Sequence, residues 1–395
     1  MMNEEIQILM SAEKGGLTRQ MAPIARQAPV SVRSKIYHTL YDAQEFCSKQ
    51  MLASKCGISM PTLYQNLNEL MEEGLVQYSG EEKSTGGRKA QGLDIIPDAR
   101  LAVGIAVSEH RLRFILTDLR LHELAYQAIP FDFISSLSEE TSSLPALLER
   151  FLDDHRVDRS KLLGIGITIP ALITQDHSRI HVAPTLNIRD VPLEVLTKGI
   201  PYPVYVENDA SASGFAEFFV RGASSNLAYF SLEYGIGGAV VIGGRPYPGD
   251  NAQSGEFGHL CIEPGGLRCS CGKNGCLEAY SSPRRIEETL GVSLEDFFRG
   301  VEQHNPDYEA LLYDMLRHLA IAVNSVHMIL DCDVILGGLF SEYLQPYLPV
   351  IRDYVQSGNP FTADADFVKL STLRHHITPL GAALYFVRDF VSGVS

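Results

Sequence analysis

The chain has 395 residues, of which 45% are apolar, and its formal net charge is −15. This length predicts two or three domains with well-formed cores, and the absence of any run of eighteen uncharged apolar residues argues against a membrane-spanning helix. Residues 1–100 carry 11 Lys and Arg against 12 Asp and Glu, a net −1 that leaves −14 for the remainder. Contact with nucleic acid is therefore expected only through the N-terminal segment.

The cysteines and the N-terminus indicate a compartment. Seven cysteines, an odd number, are spread over the chain, and its first seventeen residues are largely polar. We therefore expect no disulfide framework and no secretion signal, and a reducing cytoplasm is the expected location. Residues 1–30 are expected to be a mobile N-terminal extension.

Two short helices with a tight turn between them are predicted after residue 48. The first ends at Gly57, and the second begins at the N-cap candidate Ser59 with Pro61 in its first turn. The leucines of the second helix share one face, so its other face is free to meet base edges and phosphates. The candidate DNA-binding residues of this helix-turn-helix are Ser59, Thr62, Tyr64, Gln65 and Asn68.

Two strands predicted at residues 74–79 and 92–96 would complete a winged helix-turn-helix over residues 31–97. The turn between them contains Arg88, which is placed to reach the DNA backbone or the minor groove. Residues 25–68 are locally basic, as expected of a DNA-binding domain. Winged domains also serve as protein-interaction modules, and the pattern leaves that alternative open.

From residue 98 the pattern changes to alternating strands and helices, which predicts α/β architecture. One lobe is predicted over residues 98–215, and its strand at residues 202–209 delivers Asn208 and Asp209 to a carboxyl end, where open α/β sheets bind ligands. A second lobe is predicted over residues 216–395. It contains a glycine turn at residues 235–238 and a long amphipathic helix through residues 312–330.

A compact group of metal-ligand residues follows that glycine turn. His259, Cys269, Cys271 and Cys276 have the spacing His-x9-Cys-x-Cys-x4-Cys, which is typical of a tetrahedral Zn²⁺ site. Glycines inside the group permit the tight turns that such a site needs. Free thiols are the alternative. Two carboxylates, Glu256 and Glu278, flank the group.

These motifs together resemble the ROK family (repressors, open reading frames, kinases), and within it the NagC/Mlc/XylR-like regulators. The most specific of them are the segments at residues 255–259 and 269–278, in that order and at that spacing. The resemblance implies an actin-like, sugar-kinase-like α/β body of two lobes, which here follows the N-terminal winged helix-turn-helix domain. It also implies a structural zinc and a sugar site in the cleft. The implied sugar-binding residues are Asn208, Asp209, Glu256, His259 and Glu278.

One departure from the family bears on catalysis. Its kinases have an Asp-x-Gly-Gly-Thr turn that holds ATP phosphates, and this chain has Ala106, Ser108, Glu109 and His110 at the corresponding positions. A carboxylate repels phosphate, and loss of the glycines removes the close backbone approach. We therefore expect no kinase activity, although Asp209, the general base of a kinase, is retained.

The expected function is a sugar-responsive transcriptional regulator, most simply a repressor of carbohydrate-utilisation genes that a sugar or sugar derivative releases from operator DNA. A homodimer or homotetramer is expected, because two-fold symmetry matches a pseudo-palindromic operator. Two alternatives remain: a zinc-containing, ATP-dependent sugar kinase with an accessory DNA-binding domain, and a regulator that responds to a protein partner instead of a sugar.

Overall fold

The computed structural model describes residues 31–43, 47–81, 91–133, 143–222, 226–361, 364–373 and 376–394. The predicted extension at residues 1–30 and the predicted turn with Arg88 lie outside these ranges. Within the described ranges, no helix is both long enough and apolar enough to cross a membrane.

The N-terminal part is here called the head (residues 31–97), and its described residues form three helices and a three-stranded antiparallel sheet of order β1-β3-β2. Both predicted helices and both predicted strands are present. Strand β1, only two residues long, was not expected. The elements are α1 (Val32–Tyr41), β1 (Cys47–Ser48), α2 (Lys49–Cys56), α3 (Met60–Glu72), β2 (Val76–Glu81) and β3 (Gln91–Ile95).

Local capping defines the helix-turn-helix. Ser48 Oγ accepts a hydrogen bond from Met51 N at the start of α2, and Gly57 ends that helix with a φ of 63°. Ser59 Oγ accepts from Thr62 N at 3.3 Å at the start of α3. Capping side chains satisfy the free N–H groups of a first turn, and glycine adopts a positive φ at little cost. The sequence therefore determined these boundaries locally.

The first lobe is a five-stranded mixed sheet of order β11-β7-β4-β5-β6, with a small antiparallel sheet of order β10-β9-β8 beside it. The predicted α/β pattern and the strand that ends at Asn208 are confirmed; β4 and β5 form an antiparallel hairpin, and β7 is buried. The elements are β4 (Leu101–Val107), β5 (Arg111–Asp118), β6 (Glu123–Pro130), α4 (Ser143–Asp154), β7 (Leu162–Ile169), β8 (Leu172–Ile173), β9 (Arg179–Ala183), β10 (Ile188–Pro192), α5 (Glu194–Thr197), β11 (Val204–Asn208) and α6 (Asp209–Arg221).

The second lobe has a five-stranded sheet of order β14-β13-β12-β15-β16 and a layer of helices. The elements are β12 (Leu227–Leu232), β13 (Ile236–Ile242), β14 (Arg245–Pro246), a 3₁₀ turn (Phe257–His259), α7 (Leu277–Ser281), α8 (Pro283–Leu290), α9 (Leu294–Glu302), α10 (Pro306–Leu330), β15 (Asp333–Gly337), α11 (Leu348–Gly358), β16 (Val368–Leu370) and α12 (Ile377–Gly393).

The glycine turn predicted at residues 235–238 is wrong in its position. Ile236 already pairs with Leu232, so Gly237 and Gly238 lie inside β13, and the turn comprises residues 233–235. A Cβ atom on Gly238 would lie 2.4 Å from the Phe257 ring. Glycine is present here because the 3₁₀ turn packs directly on the strand, which a periodicity argument does not detect.

The last helix returns to the first lobe. Helix α12 packs against β4, β7 and α6, whereas the predicted division at residue 215 grouped it with the second lobe. Two glycines permit the close approach: a Cβ on Gly104 would lie 1.8 Å from Pro379 O, and one on Gly166 would lie 2.0 Å from Ala382 O. The C-terminal residues thus complete the core of the first lobe.

The head is joined to the first lobe by polar and apolar contacts. Tyr41 in α1 donates a hydrogen bond to Leu119 O at 2.6 Å, and its ring meets the Phe219 ring edge-on at 6.5 Å between centroids. Arg120 donates to Tyr41 O at 3.1 Å and pairs with Asp94 of β3 at 2.5 Å. One continuous apolar core runs from the head helices to α6 and α12. The head is therefore packed against the body.

Candidate metal centre and ligand cleft

The predicted metal ligands lie together. The ligand atoms of His259, Cys269, Cys271 and Cys276 are all within 4.8 Å of one another. Cys271 Sγ lies 3.8 Å from Cys276 Sγ, and Cys269 Sγ lies 3.8 Å from His259 Nδ1. A tetrahedral site with metal–sulfur bonds of about 2.3 Å places its ligand atoms about 3.8 Å apart. The donor set therefore fits a tetrahedral metal ion.

The backbone around these ligands is tightly folded. Cys269 N donates to Lys273 O, and Gly275 N donates to Leu267 O, both at 2.8 Å. Gly275 has a φ of 86°, and a Cβ there would lie 2.1 Å from Glu263 O. Only glycine fits at this turn. The pKa of Cys276 is raised to about 12 by burial and by its sulfur neighbours, so binding of a metal ion must displace thiol protons.

Two polar side chains lie at the end of β11. One is engaged, which means that its polar atoms are hydrogen-bonded to the protein, and the other is open, which means that it keeps a free hydrogen-bond acceptor. Asn208 is the N-cap of α6: its Oδ1 accepts from Ser211 N at 2.9 Å, and its Nδ2 donates to Ala171 O at 3.0 Å. Asp209 makes one hydrogen bond to its own helix, from Ala210 N to Oδ1 at 2.9 Å. Its other oxygen has no hydrogen-bond donor among the described residues. Asn208 thus holds the helix, and Asp209 has free acceptor capacity.

The two carboxylates near the metal ligands also comprise one engaged and one open side chain. Glu278 is only 9% exposed; its Oε1 accepts from Ser270 Oγ at 2.6 Å and its Oε2 from Ile236 N at 3.1 Å. Glu278 therefore connects the metal loop to the start of β13. Glu256 is partly exposed and, within the described part of the chain, accepts no hydrogen bond through its side chain.

The predicted ligand residues of the two lobes face one another. Glu256 interacts electrostatically with Asp209, Glu278 and His259. Burial raises the pKa of Asp209 and of Glu256, although both side chains keep some contact with solvent. Carboxyl groups that are partly buried but still open to solvent are suited to accept hydrogen bonds from hydroxyl groups.

Sequence reasoning missed two residues of this cleft, Arg113 and Glu233. Glu233 is exposed as a whole residue, but desolvation of its carboxyl group raises its pKa to about 7; the nearby Arg113 opposes that rise, and Asp209 adds to it. Glu233 precedes the glycines that drew attention in the sequence, and Arg113 lies on β5 in the partner strand of a hairpin. Neither position carries a local motif, so tertiary proximity alone identifies them.

The segment that replaces the kinase phosphate turn is a closed hairpin. Ser108 N and Ser108 Oγ both donate to Arg111 O at 3.0 Å, and His110 O accepts from Phe131 N at 3.0 Å. The side chains of Glu109 and His110 are exposed, with 3.6 Å between His110 Nε2 and Glu109 Oε1. A tight turn that carries a carboxylate provides no nest of N–H groups for phosphate.

The candidate DNA-binding residues are exposed on α3, apart from Thr62, which is partly buried. Ser59 and Thr62 are engaged in the helix cap, with 2.8 Å between their hydroxyl oxygens. Tyr64, Gln65 and Asn68 lie on the outer face, as predicted, while Leu63 and Leu67 enter the core.

A family model described as the ROK family matches residues 102–388, and the chain therefore belongs to the ROK family. The xylose repressor of Bacillus subtilis (strain 168) is 33% identical over 248 residues, which is 62% of this chain and 64% of the repressor. The DNA-binding transcriptional dual regulator NagC of Escherichia coli (strain K12) is 27% identical over 265 residues, 66% of this chain and 64% of NagC. The chain thus spans slightly less than two thirds of these relatives.

Solved structures confirm the predicted fold class. A ROK family transcriptional regulator, described as a homologue of the E. coli MLC protein, superposes with a TM-score of 0.73 at 21% identity, over 92% of this chain and 97% of that one. The ROK hexokinase from Thermus thermophilus superposes with a TM-score of 0.60 at 27% identity, over 74% of this chain and 100% of the hexokinase. The regulator superposes on a larger share of this chain than the kinase does.

Proposed function

We propose that this protein is a sugar-responsive, DNA-binding transcriptional regulator, a repressor that a sugar or sugar derivative releases from operator DNA. The observation that carries the proposal is a helix-turn-helix head packed on a ROK body whose first phosphate turn is a closed, acidic hairpin. Relatives named as xylose repressor and NagC support the same class.

The metal ion in this proposal is structural Zn²⁺, held by His259, Cys269, Cys271 and Cys276. All four ligands come from the protein, so the ion supplies no reactive position and serves to fold the loop. His259 Nδ1 faces Cys269, which leaves Nε2 as the nitrogen for a ligand hydroxyl. Glu278 links the metal-binding loop to β13, because it accepts one hydrogen bond from Ser270 of the loop and one from Ile236 of the strand.

The sugar hydroxyls would be bound by Asp209, Glu256 and His259, whose side chains retain hydrogen-bonding capacity. Asn208 and Glu278, also predicted as ligands, would act mainly by positioning their neighbours, because their polar atoms already bond to the protein. Buried groups that need a hydroxyl partner discriminate strongly against ligands without one.

Helix α6 supplies a physical route from sugar to DNA. Asp209 begins the helix in the cleft, and Phe219, in the last turn, contacts Tyr41 of the head. Thirteen residues of α-helix span about 20 Å as a rigid rod. A sugar that draws Asp209 toward the second lobe would tilt α6 and displace the head, to the extent that the sugar binds the two states differently. Two-fold pairing of chains would place two heads on one operator.

The test is a pair of binding experiments on the full chain. Duplex DNA selected from a random pool by the purified protein gives the operator, and a panel of pentoses, hexoses and amino sugars is then added to the complex. We expect one of these sugars to weaken operator binding and to raise the melting temperature of the free protein. Failure of every sugar in both measurements contradicts the proposal.

A sugar kinase is the competing function, favoured by the retained Asp209 and by the hexokinase relative. A coupled assay for ADP release with the same sugars separates the two. We expect no turnover above that of Asp209→Asn. Steady turnover that Asp209→Asn abolishes would replace the regulator with an enzyme.

A further inference from the structure

Three elements of the head converge on one lysine. Lys49, the first residue of α2, donates a hydrogen bond from Nζ to the Tyr78 hydroxyl at 2.8 Å. The same ammonium lies 4.6 Å from the centre of the Tyr64 ring and 4.9 Å from that of Tyr78. Tyr64 belongs to α3 and Tyr78 to β2, and each is 45% exposed. The ammonium of Lys49, in the first helix of the motif, thus contacts one side chain of the second helix and one of a wing strand.

Two tyrosines hold the ammonium in place, and no acidic residue in the described part of the chain neutralises it. Two aromatic faces attract a cation and restrict the rotamers of a long side chain. The tyrosine hydroxyl takes one of the three N–H donors. No carboxylate among the described residues pairs with Lys49, and two of its three N–H donors make no hydrogen bond to those residues. A cation that is fixed by aromatic contacts and keeps N–H donors is suited to contact a phosphate.

The charges of α3 define the end that can approach DNA. The first nine residues, 60–68, contain no acidic residue, whereas Glu69, Glu72 and Glu73 follow at the end of the helix. Only Glu73 is paired with a cation in the described structure, to Arg33. Phosphates are therefore repelled from the end of α3 and accepted near its start, where Tyr64 and Lys49 lie. In helix-turn-helix proteins the start of the second helix contacts the bases.

We propose that Lys49 contacts a backbone phosphate and that Tyr64 and Tyr78 hold it there, so that Lys49 fixes how the start of α3 enters the major groove. This inference rests on the proposed DNA-binding function. It adds Lys49 and Tyr78 to the DNA-contacting surface and gives Tyr64 a supporting role in place of the base contact expected from the sequence. A phosphate contact positions the protein and carries no base preference.

The test measures the salt dependence of DNA affinity for the full chain. The probes are the duplex selected by the wild-type protein and an unselected duplex of the same length. For Lys49→Met, we expect the slope of log affinity against log salt to fall by about 0.9 per bound head, with similar weakening on both duplexes. Lys49→Arg should restore the slope. Tyr78→Phe keeps the ring and loses the hydroxyl, so affinity should fall less while the slope is retained.

The matched control is Lys35→Met, the same change of charge at an exposed lysine of α1. It should leave the slope unchanged, and circular dichroism with thermal melting shows whether each variant folds. Equal slopes for wild type and Lys49→Met, or equal losses for Lys35→Met and Lys49→Met, overturn the inference while the proposed function stands. If the wild-type protein selects no DNA sequence, both fail.

Discussion

The two sides of the cleft use their polar residues in the same way, although they are built differently. On the first-lobe side a strand end and a helix start present Asn208 and Asp209 through regular backbone hydrogen bonds. On the second-lobe side an irregular loop presents Glu256 and Glu278, with no regular element except a short 3₁₀ turn and the start of α7. Each side has one side chain engaged with the protein and one that is open.

Stability and ligand binding are expected to depend on different residues of this site. Engaged residues, Asn208 and Glu278, satisfy backbone or hydroxyl donors, and their loss leaves those donors without partners. Open residues, Asp209 and Glu256, accept few or no protein hydrogen bonds. The two sides differ in what supports them: secondary structure on one side, and the loop of the proposed zinc site on the other.

Cys271→Ser tests that difference with the largest expected effect. Loss of one ligand should release zinc, because serine is a poor ligand for it, and lower the free energy of unfolding by about 3 kcal/mol or more. The sugar response should disappear with it. Metal content by mass spectrometry, chemical denaturation and sugar titration measure the three quantities. Cys261→Ser is the control, since Cys261 is an exposed thiol outside the ligand group. A metal-free variant that still binds sugar would contradict the role of the loop.

Glu278→Ala and Glu256→Ala compare engaged and open residues within the metal loop. Glu278→Ala leaves Ile236 N–H and Ser270 O–H without their acceptor and should cost about 2 kcal/mol of stability. Glu256→Ala should change stability by less than about 0.5 kcal/mol. It should nevertheless weaken sugar binding by a factor of about 10 or more, the usual effect of losing a hydrogen bond to a charged group. Denaturation and calorimetry distinguish the two, and an equal loss of stability in both variants would remove the distinction.

Local signals explain why so much of the fold could be predicted. The caps at Ser59 and Gly57, the strand that ends at Asn208 and the spacing of the metal ligands each depend on residues close in sequence. Their physical causes, capping, burial and ligand geometry, act over a few residues, so the sequence determines them directly.

The features that were missed depend on partners far along the chain. Strand β1 exists only because Cys47 and Ser48 pair with β3, and α12 joins the first lobe through glycines more than 200 residues earlier. The division of the polar residues into engaged and open ones also required the hydrogen bonds. The family resemblance implied Asn208 and Glu278 as sugar ligands; a sequence motif identifies such side chains but not their hydrogen-bond partners.

Asn208→Ala and Asp209→Asn make the same comparison on the first-lobe side. Asn208→Ala removes the N-cap of α6 and should cost about 1 kcal/mol of stability. Burial raises the pKa of Asp209, so the neutral Asp209→Asn should not lower stability at pH 7, yet it should weaken sugar binding. The measurements are thermal melting and sugar titration. A stable Asn208→Ala together with an unstable Asp209→Asn would reverse the assignment.

Glu233→Gln tests the residue between the two sides and should have the smallest effect. The pKa of Glu233 is raised from 4.5 to about 7, so the folded chain keeps a proton that the unfolded chain loses between those values. Its stabilising contribution is full below pH 4.5 and is lost as the pH rises through about 7. Glutamine does not ionise, so the variant should melt about 2 °C higher than wild type at pH 8, a small gain because solvent reaches the carboxyl group. At pH 4.5 the two should melt together. Equal melting temperatures at pH 8 would show that Glu233 does not share the electrostatic environment of Asp209.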